Sequence, residues 1–121
     1  MKICLVVDDS EVIRKVARHI LSDLHFAAIE AANGQDALER CRAEMPDAIL
    51  LDWHMPVMNG IDFIAAVREE EGGDEPQIFY CTTENDPKDI MKALSVGADE
   101  YILKPFERAE IAKKFAEAGL M

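Results

Sequence analysis

The sequence predicts one α/β domain: five strands, each followed by a helix, forming a parallel sheet with helices on both faces. Three observations lead there. The apolar pattern switches back and forth, five times, between short continuous runs and stripes at helical spacing. Strand followed by helix followed by strand makes every connection a crossover, which parallel pairing requires. The 121 residues suffice for one core and contain no linker, internal repeat or low-complexity segment.

The elements follow in order. Ile3-Cys4-Leu5-Val6-Val7 is a continuous apolar run, as expected of a strand buried on both faces. It stops at Asp8-Asp9-Ser10, where Ser10 is a plausible N-cap. Val12, Ile13, Val16, Ala17, Ile20, Leu21 and Leu24 then mark a first helix. Ala27 to Ala31 is a weaker strand, closed by the turn signal Asn33-Gly34. A second helix turns Ala37, Leu38, Cys41 and Met45 inward and ends near Pro46. Ala48-Ile49-Leu50-Leu51 is the clearest buried strand and delivers Asp52 at its end. Gly60 opens a third helix with Ile61, Ile64 and Val67, which stops in the polar stretch from Glu69 to Pro76. Ile78 to Cys81 form the fourth strand, ending at Thr82-Thr83. Asp86-Pro87 reads as a cap followed by first-turn proline, leading a fourth helix through Ile90, Met91 and Leu94 that Gly97 ends. Tyr101-Ile102-Leu103 is the fifth strand, ending at Lys104-Pro105, and the last helix carries Ile111, Ala112, Phe115 and Ala116.

Composition narrows the functional classes. A formal charge of −11 argues against nucleic acid, which needs a basic surface to displace counterions. No apolar run approaches the roughly 20 residues of a membrane span, and the amino terminus lacks a signal-peptide pattern. Cys4, Cys41 and Cys81 are odd in number and set in apolar surroundings, as buried free thiols of a reducing cytoplasm would be. A cytoplasmic location is therefore expected.

The chemistry gathers at strand ends. In open α/β sheets, ligands bind outside the carboxyl ends of the strands. Asp8 and Asp9 follow the first strand, Asp52 the third, Thr82 and Thr83 the fourth, and Lys104 the fifth. Taken singly, an Asp after a strand is usually a cap and a lysine there is usually solvated. Four chain segments converging on one edge are harder to dismiss. Three crowded carboxylates repel one another and call for a cation, and hard oxygen ligands with room for water suit Mg²⁺. Lys104 can pair with a carboxylate and later with a phosphoryl oxygen, and the Thr82 hydroxyl can donate to another. These are the parts an aspartate nucleophile needs to accept phosphate in line.

Four segments carry a resemblance to a known family: Leu5-Val6-Val7-Asp8-Asp9-Ser10, Leu51-Asp52-Trp53-His54-Met55-Pro56-Val57-Met58-Asn59-Gly60, Cys81-Thr82-Thr83, and Leu103-Lys104-Pro105-Phe106. In that order they closely resemble the receiver domains of bacterial two-component response regulators, particularly single-domain ones of the chemotaxis CheY type. The resemblance covers essentially the whole chain, residues 1–121, as one receiver domain. It implies a doubly wound, flavodoxin-like (βα)5 fold with strand order 2-1-3-4-5.

By that resemblance Asp52 is the phosphoacceptor, Asp8 and Asp9 hold Mg²⁺ with it, and the His54 backbone carbonyl completes the protein's share of the metal shell. Thr82 resembles the switch hydroxyl, Lys104 the lysine that pairs with the phosphoryl group, and Tyr101 the switch aromatic, with plain packing as the alternative for Tyr101. His54 and Glu84 occupy positions that tune phosphoaspartate hydrolysis, unless their side chains are simply solvated. Thr83 is bulkier than the residue usual there. The Lys104-Pro105 bond would be cis. The implied partners are a sensor histidine kinase or histidine phosphotransfer protein and a downstream protein target. That target would be met by the face of the fourth helix, fifth strand and fifth helix, roughly Pro87 to Ala118.

The implied function is a phosphorylation switch, of the kind used in chemotaxis and motility, in a monomer that could dimerise when phosphorylated. It would be no enzyme beyond self-catalysed phosphotransfer and autodephosphorylation. A phosphate relay or sink without direct output is the alternative. Two rivals come from other classes. A phosphatase with an aspartyl-phosphate intermediate would need a D-x-D and a cap domain, and a flavin carrier would find its phosphate repelled by Asp8 and Asp9.

Overall fold

The computed structural model describes every residue except His54, Pro56, Glu84, Asn85 and Asp86. Among the described residues ten elements alternate: β1 (Ile3–Val7), α1 (Glu11–Asp23), β2 (Ala27–Ala31), α2 (Gly34–Ala43), β3 (Ala48–Asp52), α3 (Gly60–Arg68), β4 (Gln77–Thr82), α4 (Pro87–Val96), β5 (Glu100–Leu103) and α5 (Arg108–Glu117). All strand pairs are parallel and their order is β2-β1-β3-β4-β5. The expected fold and strand order are both present.

Strand alternation sorts the core into two layers. Leu5, Val7, Ile49, Leu51, Ile78 and Tyr80 face one side, where α2, α3 and α4 bring Leu38, Phe63, Ile64, Val67 and Ala93. Cys4, Val6, Ala48, Leu50, Phe79 and Cys81 face the other, against Ala17, Ile20 and Leu21 of α1 and Ile111 and Phe115 of α5. Phe115 is fully buried between Phe79 and Phe26, with ring centroids 4.9 and 5.1 Å away. All three cysteines are buried and free. Among the described residues, no helix is long and apolar enough to cross a membrane.

Several local readings change. Asn33 is not a turn former: its side chain accepts from the Asp36 amide at 2.8 Å, capping α2, with Gly34 as the first helical residue. Val12 and Val16 are exposed, as are Met91 and Leu94 of α4. Ala116 is exposed too. At 3.6 residues per turn, Val16 and Val12 lie roughly 100° and 140° round the helix from buried Ala17, beyond the stripe that the sheet covers. Leu94 and Met91 lie roughly 100° and 160° from buried Ala93 by the same measure. His25 ends α1 in the left-handed region at φ 66°, a capping role.

One side chain ties the lower edge together. Arg68, at the end of α3, donates to the carbonyls of Gly97 (3.0 and 2.7 Å), Gly73 (2.9 Å) and Pro76 (2.8 Å) and to Asp99 (2.9 Å). Gly97, at φ 129°, is where α4 turns into β5; a Cβ there would lie 2.9 Å from Arg68 Cγ.

Candidate functional site

β1 and β3 are adjacent strands buried on both faces, so the residues at their carboxyl ends emerge side by side. Asp52 is the last residue of β3 and is buried, while Asp8 follows β1 and is buried as well. Their oxygens, together with one from exposed Asp9, lie within 4.8 Å of one another.

Lys104 meets them from the end of β5. Its backbone amide donates to Thr82 O at 2.8 Å. Its Nζ donates to Asp8 Oδ2 at 2.8 Å and to Asp52 Oδ1 at 2.7 Å. Thr82, at the end of β4, is buried beside this group, whereas Thr83 is exposed. The Lys104-Pro105 peptide is cis.

Asp8 does two jobs. One oxygen accepts the Ser10 amide at 2.9 Å, shaping the turn into α1, while the other accepts from Lys104. Ser10 in turn caps α1, accepting from the Ile13 amide at 3.3 Å. The cap-and-turn chemistry and the site chemistry therefore share one residue.

Two supporting residues were not legible as such. Arg14, one turn into α1, donates from Nη1 to the Asp8 carbonyl at 2.6 Å and from Nε to Glu30 at 3.1 Å. It fixes the acidic loop to the edge strand. Gly60 does more than open α3: a Cβ there would lie 3.0 Å from the Asp52 carbonyl and 3.1 Å from Tyr80. Only the closeness of chain segments reveals either role. The sole sequence hint was the position of each residue near an acidic motif.

Charge is unbalanced by design of the donor set, with three carboxylates against one ammonium. Burial raises the Asp52 carboxyl above its ordinary value; Lys104 pulls it down, and Asp8 and Asp9 push it further up. For Lys104, burial alone would lower the ammonium's value. Hydrogen bonds and attraction to Asp52 and Asp8 outweigh it, and the net direction is upward. A surplus of hard oxygen donors, close together and partly open to water through Asp9, fits a divalent cation of the Mg²⁺ type.

The remaining expected residues stand apart. Tyr101 is half-buried, packs against the layer of α2, α3 and α4, and carries Lys114 Nζ 4.9 Å from its ring centroid. His54 and Glu84 lie outside the described residues, and so does the Asp86 cap.

Comparison with known proteins is consistent across sequence and structure. The family model of the response regulator receiver domain matches residues 4–116. The chemotaxis protein CheY1 of Helicobacter pylori is 37% identical over 112 residues, which cover 91% of this chain and 90% of that protein. The chemotaxis protein CheY of Halobacterium salinarum is 36% identical over 107 residues, covering 88% of each. Among solved structures, chemotaxis protein CheY4 of Vibrio cholerae matches with a TM-score of 0.91 at 34% identity, over 97% of this chain and 98% of that one. The receiver domain of a sensor histidine kinase from Pseudomonas aeruginosa, solved with magnesium coordinated in its active-site cleft, matches with a TM-score of 0.88 at 28% identity. It covers 96% of this chain and 95% of its own.

Proposed function

Since the chain belongs to the response regulator receiver family, we propose that residues 1–121 form one receiver domain whose Asp52 accepts a phosphoryl group from a phosphohistidine. The family is one of signalling switches, and its CheY members make a chemotaxis role the natural setting. The observation that carries the proposal is the Lys104 ammonium shared by Asp8 and Asp52 beside the third carboxylate of Asp9.

In the proposed step an Asp52 carboxylate oxygen attacks phosphorus in line. An O–P bond forms, the P–N bond breaks, and the imidazole leaves with the electron pair. Asp8, Asp9 and Asp52 would hold Mg²⁺ with the His54 carbonyl, and the bound ion would neutralise charge on the phosphoryl oxygens. Lys104 already reaches Asp52, so its Nζ can pass to a phosphoryl oxygen once the carboxylate oxygen is esterified. The Thr82 hydroxyl, buried at the neighbouring strand end, would donate to another.

The step has a route to the surface. Lys104 adjoins β5, and Tyr101 of that strand lies under Lys114 of α5. We place the output on the α4–β5–α5 face, roughly Pro87 to Ala118, acting on a downstream protein. Moving such a face from 1:99 to 99:1 in favour of the active form needs about 5.5 kcal/mol of differential stabilisation.

Acetyl phosphate with Mg²⁺ tests the assignment. Intact-mass measurement should show one acid-labile, hydroxylamine-sensitive phosphoryl group, mapped to Asp52 and absent from Asp52→Asn. Labelling of the Asp52→Asn protein to the same extent, or none in the native chain, would refute it. His54→Ala and Glu84→Ala should alter the lifetime of the label while leaving its position unchanged.

A further inference from the structure

Between the first turns of α3 and α4 lies an open groove of about 280 Å³. Its floor is apolar and aromatic, with Trp53 and Ile61 partly exposed and Tyr80 almost wholly buried beneath them. Its rim is charged, with Asp62 from α3 and Asp89 and Lys92 from α4. It is separate from the Lys104 cluster, and the phosphoryl reading leaves it unused.

We propose that this groove is a docking pocket for an arginine side chain presented by a protein partner. The volume falls just below the roughly 300 Å³ at which small-molecule pockets begin, a size for one long side chain rather than a metabolite. A planar guanidinium can stack on an aromatic face while its edge meets carboxylates. The floor and rim offer both. No salt bridge among the described residues engages Asp62, Asp89 or Lys92, so the two rim carboxylates are available to a partner's cation.

Other occupants fit less well. An anion would be drawn to the two helix N-termini, but Asp62 and Asp89 already sit in those first turns and would repel it. A purely apolar side chain would desolvate both carboxylates without compensating them. A protein partner matches the open shape and the chain's charge of −11, which attracts basic segments.

The sole tryptophan lies in the floor, so the pocket has its own reporter. Magnesium-free protein of residues 1–121 is titrated with the tripeptide acetyl-Leu-Arg-Leu-amide, with its citrulline and lysine counterparts as controls. The arginine peptide should produce a weak, saturable change in Trp53 emission. Amide shifts in NMR spectra should cluster at residues 59–62 and 89–92. Citrulline, which lacks the charge, should bind about fivefold or more weakly, as should the native peptide to the Asp62→Asn/Asp89→Asn protein. Asp62 is exposed and Asp89 half-buried, and an unchanged far-UV spectrum verifies that the double variant is folded. Equal binding of the citrulline or lysine peptide, an unaffected double variant, or shifts confined to another face would overturn the proposal. Because magnesium and phosphodonor are omitted, the outcome does not depend on Asp52 chemistry.

Discussion

Replacing Lys104 with methionine removes the ammonium from between Asp8 and Asp52 and keeps most of the apolar stem. Both carboxylates are almost entirely buried, with side-chain exposures of 4% and 6%. Removing one partner of a buried ion pair typically costs about 3–5 kcal/mol. Proton uptake sets a ceiling, because one proton shared by the two carboxylates restores the lost positive charge. Taking an ordinary aspartate value of about 3.9 and 1.36 kcal/mol per pH unit, that proton costs about 4.2 kcal/mol at pH 7 and about 1.5 kcal/mol at pH 5. Lys104→Met should therefore lose about 3–4 kcal/mol at pH 7 in chelator, and no more than about 1.5 kcal/mol at pH 5. At about 2.1 cal/mol/K per residue, the loss at pH 7 lowers Tm by about 12–16 °C for a chain of 121 residues. Urea unfolding of both proteins at the two pH values measures the difference. The sign follows from linkage: the variant's folded state binds the shared proton more tightly than the unfolded chain, so its deficit grows as pH rises. Adding Mg²⁺ should stabilise both proteins, each by about 2.7 kcal/mol at a hundredfold excess over its own dissociation constant. A loss under about 1 kcal/mol at pH 7, or one that is the same at pH 5, would refute the reading of Lys104 as counter-charge.

Three further outcomes follow from other contacts. Asp52 has its carboxyl held above the ordinary value, chiefly by burial, so its ionisation weakens the fold as pH climbs from the ordinary carboxylate range through the folded value. Asp52→Asn should stabilise the magnesium-free protein at pH 7, as read by urea unfolding, and lose that advantage toward pH 4. Val57 is a β-branched, exposed residue at φ 71°, a conformation asparagine tolerates better. Val57→Asn should raise stability by about 0.5–1 kcal/mol, and a loss would contradict the strain. Arg68→Met strips every guanidinium donor from the Gly73, Pro76 and Gly97 carbonyls, for a loss of about 2–3 kcal/mol that Arg68→Lys recovers only in part. Faster amide exchange should accompany it around Gly97 and Asp99.

How much was legible in the sequence varied with the range of the interaction. β1 was bounded to the residue, because a strand buried on both faces is a continuous apolar run with nothing else to resemble; β2, a half-buried edge strand holding Glu30, was bounded as well but carries the weaker signal. The site was legible for a related reason. Parallel strands put all their carboxyl ends on one edge, so placing the strands places Asp8, Asp52, Thr82 and Lys104 together. Helix faces were read less well. Met91 and Leu94 satisfied an apolar pattern, yet the sheet covers only the stripe through Ile90 and Ala93. Asn33-Gly34 has the composition of a turn and of a capped helix start alike, and the Asp36 amide decides between them. Arg14, Gly60 and Arg68 depend on neighbours distant in sequence, which no local pattern encodes.

The separation of layers explains why a charged, unbalanced site is tolerated. Both apolar layers close beneath the carboxyl edge, and their largest side chains are buried without contact with water. The acidic cluster adds electrostatic tension at the rim, not within the packing, where a void or a stray charge would be far costlier. Lys104 holds that tension in check through one flexible stem, while its backbone amide ties it to Thr82 of the neighbouring strand. A change of partner at Nζ therefore acts on two strand ends at once and leaves the core intact. Thr82 and Lys104 are joined by backbone; the side chains of Asp8 and Asp52 are joined through the ammonium. The first link is rigid and the second exchangeable, which is the division a switch requires: one fixed frame and one contact that can be traded for another.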